Sequence, residues 1–189
     1  MKKSFLFAFL MMFATANVFS NSDSFFTTEA SLGTGISIYD SNGDTLRKDL
    51  LSQKNYKRIV AGLTLDTNLN ISDPLKIMFG AEAFSDFLWN SPQYFNTLDY
   101  AFFTGIKVFP NQTGLNISIS YVLGNRTDFY DDENSTKSWG NGFRIAIQYD
   151  FMEARDYKVK PIVGGYYRCI PRGDYNRDHI LCIYGGIRF

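Results

Sequence analysis

The stretch Gly142-Phe143-Arg144-Ile145-Ala146-Ile147-Gln148-Tyr149-Asp150-Phe151 decides the fold. Phe143, Ile145, Ile147, Tyr149 and Phe151 are large and apolar, and Arg144, Gln148 and Asp150 fall between them. Successive side chains of an extended strand point to opposite faces, so a period of two divides the segment into one apolar and one polar face. A helix repeats about every 3.6 residues and would mix the two sets.

Working outward, seven more segments read the same way: 30–39, 58–69, 76–88, 98–109, 115–123, 158–169 and 180–189. Ala30, Leu32, Thr34, Ile36 and Ile38 share a face in the first of these. Leu181, Ile183, Gly185, Ile187 and Phe189 share one in the last. In no segment does the apolar face carry a charge; Thr34, Thr67, Ser85 and Thr104 are its only polar members besides Tyr and Cys. The opposite faces hold Arg58, Asp66, Lys76, Glu82, Asp86, Asp99, Lys107, Arg144, Asp150, Lys158, Lys160, Arg168 and Arg188.

A soluble β-sandwich and a membrane barrel both alternate in this manner, and two features favour the barrel. The polar face is rich in Gly33, Gly35, Gly62, Gly80, Gly105, Gly164 and Gly186, with Ser31, Ser118 and Ser120. Glycine weakens an ordinary strand but suits a narrow lumen into which side chains converge from all sides. The connections also alternate in length. Residues 71–75, 110–114 and 152–157 are short turns, whereas 40–57, 89–97, 124–141 and 170–179 are longer loops. In lipid a sheet must close on itself to leave no unpaired edge. The expected fold is all-β: an eight-stranded antiparallel up-and-down transmembrane β-barrel with both termini at the short-turn end. A secreted sandwich is the alternative.

The N-terminus agrees with export. Lys2 and Lys3 precede an unbroken apolar run, 5–13, too short to cross a bilayer as a helix. Val18-Phe19-Ser20 offers a cleavage site and Ala14-Thr15-Ala16 a second. Residues 1–20 therefore read as a cleaved secretory signal and 21–189 as the barrel domain, located in the bacterial outer membrane. Removing 20 of 189 residues leaves 169, one domain. Loss of Lys2 and Lys3 leaves 17 basic against 19 acidic residues, a formal charge of −2, which argues against nucleic acid as a partner. Aromatic residues make up 17% of the chain, as suits belts at a membrane surface.

The chain ends Tyr184-Gly185-Gly186-Ile187-Arg188-Phe189. Alternating apolar residues, Gly186 and a terminal Phe189 resemble the signal read by the outer-membrane assembly machinery of Gram-negative bacteria, with Ile187 where many members carry an aromatic. With the signal peptide, the chain is similar to the small eight-stranded barrels of the OmpX/OmpA/OmpW type. The resemblance implies Tyr184, Gly186 and Phe189 as the assembly signal, and the assembly machinery and outer-membrane lipids as partners.

Charges inside a narrow barrel must pair. Glu82 lies nearest mid-strand, and Arg58, Lys107, Arg144 and Arg168 are its candidate partners in a lumen network that also holds Asp86. That network reads either as a salt-bridged plug or as the gate of a narrow polar pore. Tyr39, Tyr56, Trp89, Tyr94, Tyr100, Tyr121, Trp139, Tyr149, Tyr157 and Tyr167 fall near strand ends as belt residues. Asp128, Asp131, Asp132 and Glu133 lack the spacing of a calcium loop and read as a solvated acidic loop. His179, the only histidine, lies near Asp174 and Asp178 and is a weak pointer to lipid-modifying catalysis. Cys169 and Cys182 are a candidate disulfide or two free thiols. The reading places them on opposite faces, a conflict that a bulge near Ile170-Pro171 would remove. Pro161 needs a bulge or a late strand start. No metal site or cofactor is expected. The leading functional expectation is a monomeric structural or surface-interaction protein whose loops meet a host or environmental ligand. The alternatives are a narrow pore for small solutes and a lipid-modifying enzyme.

Overall fold

A computed structural model describes residues 25–40, 47, 51–52, 55–72, 74–90, 93–110, 114–130, 133–136, 139–151, 159–173 and 177–189. The proposed signal segment 1–20 lies outside them, as do Asp131, Asp132, Tyr157, Lys158 and Asp174. Among the described residues, strands β1 (Phe26–Asp40), β2 (Lys57–Ser72), β3 (Leu75–Asn90), β4 (Gln93–Val108), β5 (Leu115–Tyr130), β6 (Glu133–Thr136), β7 (Gly140–Asp150), β8 (Lys160–Pro171) and β9 (Arg177–Arg188) form one antiparallel sheet. β1 pairs with β9 and β4 with β5, so the sheet closes. β6 pairs only with the upper part of β5, leaving eight strands in the barrel wall.

Exposure decides between the two all-β readings. The outward residues are the apolar ones: Leu32 is 70% exposed and Ile183 67%, whereas Glu82 is 3% and Arg168 0%. A sandwich in water would bury the first set and expose the second. Here the charges are inside and the greasy face is outside, the arrangement that hydrocarbon requires. No helix among the described residues is long and apolar enough to cross a membrane.

Small residues make the lumen narrow enough to fill. A Cβ on Gly80 would lie 2.3 Å from the Phe103 ring, which occupies that space from the neighbouring strand. Gly114, at φ 81°, turns the chain between β4 and β5 in a conformation that other residues avoid. β1 and the C-terminus meet at the turn end: the Thr28 N–H donates to the Phe189 carbonyl (3.0 Å) and the Phe189 N–H to the Thr28 carbonyl (2.9 Å). β8 starts at Lys160 rather than at 158, and Pro161 lies at its beginning, opposite Ile187.

Two expected loops are strand instead. Residues 89–97 are mostly ladder, with Trp89 opposite Tyr94 and Asn90 opposite Gln93. β5 continues past Leu123 to Tyr130 and folds back onto β6. The alternation fails there because the two faces cease to differ cleanly, with Leu88 and Phe95 buried inside and Asn96 and Thr127 at outward positions, while backbone pairing needs no apolar face to continue. The chain expected as loop thus partly builds a taller wall over β3, β4 and β5.

Ile183 lies mid-strand on the outer face. Ile183→Arg should destabilise the refolded barrel by about 2–4 kcal/mol, the cost of a cation near the bilayer midplane, measured by denaturant unfolding in lipid vesicles.

Candidate functional site

The lumen is the place where the fold gathers chemistry, and its charges form three tiers. Nearest the termini, Glu29 accepts hydrogen bonds from Lys107 Nζ (2.9 Å to each oxygen), Arg188 Nη2 (2.6 Å), Gln148 Nε2 (3.1 Å) and Asn68 Nδ2 (3.2 Å). Arg188 also pairs with Asp150 (2.5 Å), and Lys107 lies 3.9 Å from Asp66. Tyr184 donates to Gln148 Oε1 (2.9 Å).

The middle tier is built on Glu82, which pairs with Arg168 (2.8 Å) and Arg144 (3.3 Å). Arg168 reaches on to Asp99 (2.7 Å). The Arg144 guanidinium sits between the faces of Phe103 and Tyr166, 4.8 and 4.3 Å from their centres. Delocalised charge and weak hydration suit a guanidinium to such a dry aromatic slot.

At the loop end, Asp86 takes Arg58 (2.8 Å), Arg47 and the Ser37 hydroxyl (2.7 Å). Asp178 pairs with Arg126 (2.8 Å) and Arg172, and Arg172 lies 3.3 Å from Asp99. The Tyr39 ring lies between the guanidiniums of Arg47 and Arg126, each 4.5 Å from its centre. Tyr39 is therefore a buried lumen residue, not a belt residue. Tyr121, Trp139, Tyr149 and Tyr167 do lie exposed on the outside.

Of the four cations proposed for Glu82, the structure brings it Arg144 and Arg168. Arg58 belongs to Asp86, one tier higher, and Lys107 to Glu29, one tier lower, because the strands tilt around the axis and residues equally far along their strands need not meet. Sequence reading missed Glu29, Arg47, Arg126 and Arg172, and set Asp178 beside His179 rather than among the lumen charges. Glu29 and Arg126 carry a signal after all: each continues the inward parity of its strand, Glu29 before Ser31 and Arg126 after Val122 and Gly124. Arg47 lies outside any strand and gave none.

The thiols Cys169 and Cys182 are free and both buried. The candidate disulfide is thus absent here, for a register reason. Cys169 stands opposite His179 and Cys182 opposite Tyr166, with side chains on opposite faces and no bulge to unite them. Cys182 packs in the lumen with Phe84, Ala146, Tyr166, Ile180 and Tyr184. His179 is separated from Asp178 in the same way. Asp178 points inward to its arginines, while the His179 ring stacks outside on Tyr167, with Nδ1 2.7 Å from the Tyr167 hydroxyl. Among the described residues no cluster of three or more His, Cys, Asp or Glu could hold a metal ion. In the last strand, Tyr184 faces the lumen, Gly186 packs against Ser31, and Phe189 closes onto β1.

Removing one partner of a buried pair leaves an unsolvated charge. Glu29→Ala and Glu82→Ala should each lower unfolding stability in detergent or lipid by about 3–5 kcal/mol, whereas Lys57→Ala, at an exposed strand start, should stay within about 0.5 kcal/mol. Thiol counting supplies a second check: both cysteines should react with maleimide after denaturation without reductant, with no further gel shift when reductant is added.

No protein-family model matches the chain, and no curated protein matches it in sequence. Solved structures do match in fold. Ail, the attachment invasion locus protein of Yersinia pestis, solved in complex with the heparin analogue sucrose octasulfate, superposes with a TM-score of 0.56 at 10% identity, covering 87% of this chain and 99% of that one. Neisserial surface protein A superposes with a TM-score of 0.54 at 13% identity, covering 87% of this chain and 96% of that one. At such identities the likeness speaks for architecture alone: this chain has the closed eight-stranded fold of the small bacterial outer-membrane β-barrels.

Proposed function

We propose that the protein is an integral barrel of the bacterial outer membrane that acts through its loop-end surface rather than by conducting solutes. The observation that carries this reading is the middle tier. Glu82 and Arg168 span the lumen from β3 to β8, their side chains are 0% exposed, and Asp99 and Arg144 complete the bar across the barrel. An eight-stranded barrel is just wide enough for side chains to fill it, and these side chains pair with one another across it. Below the bar, Glu29 ties β1 to β4, β7 and β9, a second closure.

The loop end remains to meet the surroundings. It carries the tall wall of β3, β4 and β5 and the connections 41–56 and 172–176. The Ail structure, in complex with a heparin analogue, supports ligand binding as a use to which this architecture is put. The last strand, with Tyr184, Gly186 and Phe189, is proposed as the segment that the assembly machinery reads, by its resemblance to that signal. No enzymatic role is proposed, since His179 and Asp178 lie on opposite faces of β9.

Planar-bilayer recording of the refolded mature chain tests the reading. The wild type should give no discrete conductance steps, and Glu82→Ala, checked for folding by heat-modifiable gel mobility, should give none or only brief flicker. Stable wild-type steps abolished by filling the lumen would establish the pore instead.

A further inference from the structure

Backbone pairing between β1 and β2 stops early. Partners run from Phe26 opposite Leu69 to Gly33 opposite Gly62. Yet β1 continues to Asp40 along β9 alone, and β2 begins at Lys57 along β3 alone. The other seams of the wall run to within three residues of the end of their shorter strand. Continued in register, Thr34 would face Ala61 and Ser37 would face Arg58. Instead, side chains hold the two strands: the Thr34 hydroxyl donates to the Val60 carbonyl (2.8 Å), and Arg58 Nη2 donates to Ser37 Oγ (3.4 Å).

The parted stretch lies in the loop-end part of the lipid-facing band, flanked by Ile36, Ile38 and Ile59, all exposed. It does not lead into the lumen, because Val60 packs behind it against the buried cluster of Phe84, Ile180 and Cys182. The result is a wedge in the wall that faces lipid. Hydrocarbon has no partner for the strand edges freed there, whereas a lipid headgroup does.

Charge says which headgroup. Among the described residues, Arg47 and Arg58 share one carboxylate, that of Asp86, so the described ion pairs at the head of the wedge hold a cation in excess. The Arg58 side chain is 33% exposed, the most of any arginine side chain among the described lumen ion pairs. Arg47 is 6% exposed, and its Nε is buried without a hydrogen-bond partner. Below, Gly33, Gly35, Ala61 and Gly62 place no large side chain along the parted edges. We propose that the wedge between β1 and β2 binds one anionic lipid of the outer leaflet, its negatively charged oxygens on Arg58 and its first methylenes along the small residues below. The occupant is a membrane lipid rather than a soluble anion because the wedge is continuous with the lipid-facing surface.

The test uses the refolded mature chain in phosphatidylcholine vesicles containing phosphatidic acid with a diazirine on its acyl chain. A matched diazirine phosphatidylcholine is the control. After irradiation, adducts are mapped by mass spectrometry. Phosphatidic acid should concentrate adducts at 34–38 and 57–61, and phosphatidylcholine should not. Arg58→Ala should reduce that labelling about ten-fold, the worth of a charge-assisted hydrogen bond, and Arg58→Lys should keep most of it. If Arg58→Ala fails to fold by gel mobility, Ala61→Leu, which fills the wedge from outside, must lower the labelling instead. Adducts spread evenly around the belt, equal labelling by both probes, or labelling indifferent to the variants would overturn the proposal. So would hydrogen exchange in phosphatidylcholine alone in which the alternate amides of 34–38 and 57–61 that point across the β1–β2 seam resist as strongly as those pointing to β9 and β3, since the seam would then be closed.

Discussion

Hydrocarbon neither hydrogen-bonds nor solvates charge, and every level of this structure answers to that constraint. Backbone groups must find partners within the protein, so the sheet closes through the pairing of β1 with β9. Side chains facing lipid must be uncharged, so the charges along the apolar band turn inward, and the outward Lys57 and Arg177 stand only at the loop-end termini of β2 and β9. The lumen then holds more charge than water could hydrate in so small a space, so the charges must hydrate one another. Closure, alternation and ion pairing are successive consequences of one solvent.

The pairing also fixes the geometry of the barrel. Glu29 binds Asn68 from β2, Lys107 from β4, Gln148 from β7 and Arg188 from β9, so one carboxylate joins five strands, its own included. A shift of two residues in any of them would keep the faces correct yet pull these partners about 7 Å apart. Alternation alone therefore tolerates a slip that the ion network forbids. Burying an ion pair is a doubtful source of net stability, but leaving half of one is expensive, and that asymmetry favours a single register. The same crowding that specifies the barrel fills its middle with paired side chains, and the role proposed for the protein lies at the loop end.

At that end the constraint relaxes. Beyond the apolar band, β3, β4 and β5 rise as a taller wall, and the β1–β2 seam gives up its backbone ladder for the side-chain links of Thr34 and Ser37. The seam's break overlaps the band itself, with Ile36 and Ile59 still facing lipid, so it is the one stretch of described wall where the rule of full backbone pairing is broken in contact with the bilayer. A local exception to a strict rule marks it as a place of interaction rather than of support.

The sequence by itself determined the strands, their inward and outward faces and hence the class of fold, because alternation is a local property and hydrocarbon enforces it residue by residue. Phe143 to Phe151 carried that information unaided. Local pattern also identified the inward charges, Glu82 and Arg168 among them. Only the tertiary structure decided which charges meet. Arg188 and Glu29 are 159 positions apart in the chain, and they meet because the sheet closes with a tilt that no single strand encodes. The same holds for strands that outlast their apolar signal, such as β5 beyond Leu123, and for the thiols of Cys169 and Cys182, whose separation follows from the register of β8 on β9. Where a contact depends on how far neighbouring strands are staggered around the barrel, it is a property of the closed ring, and the chain read in one dimension does not contain it.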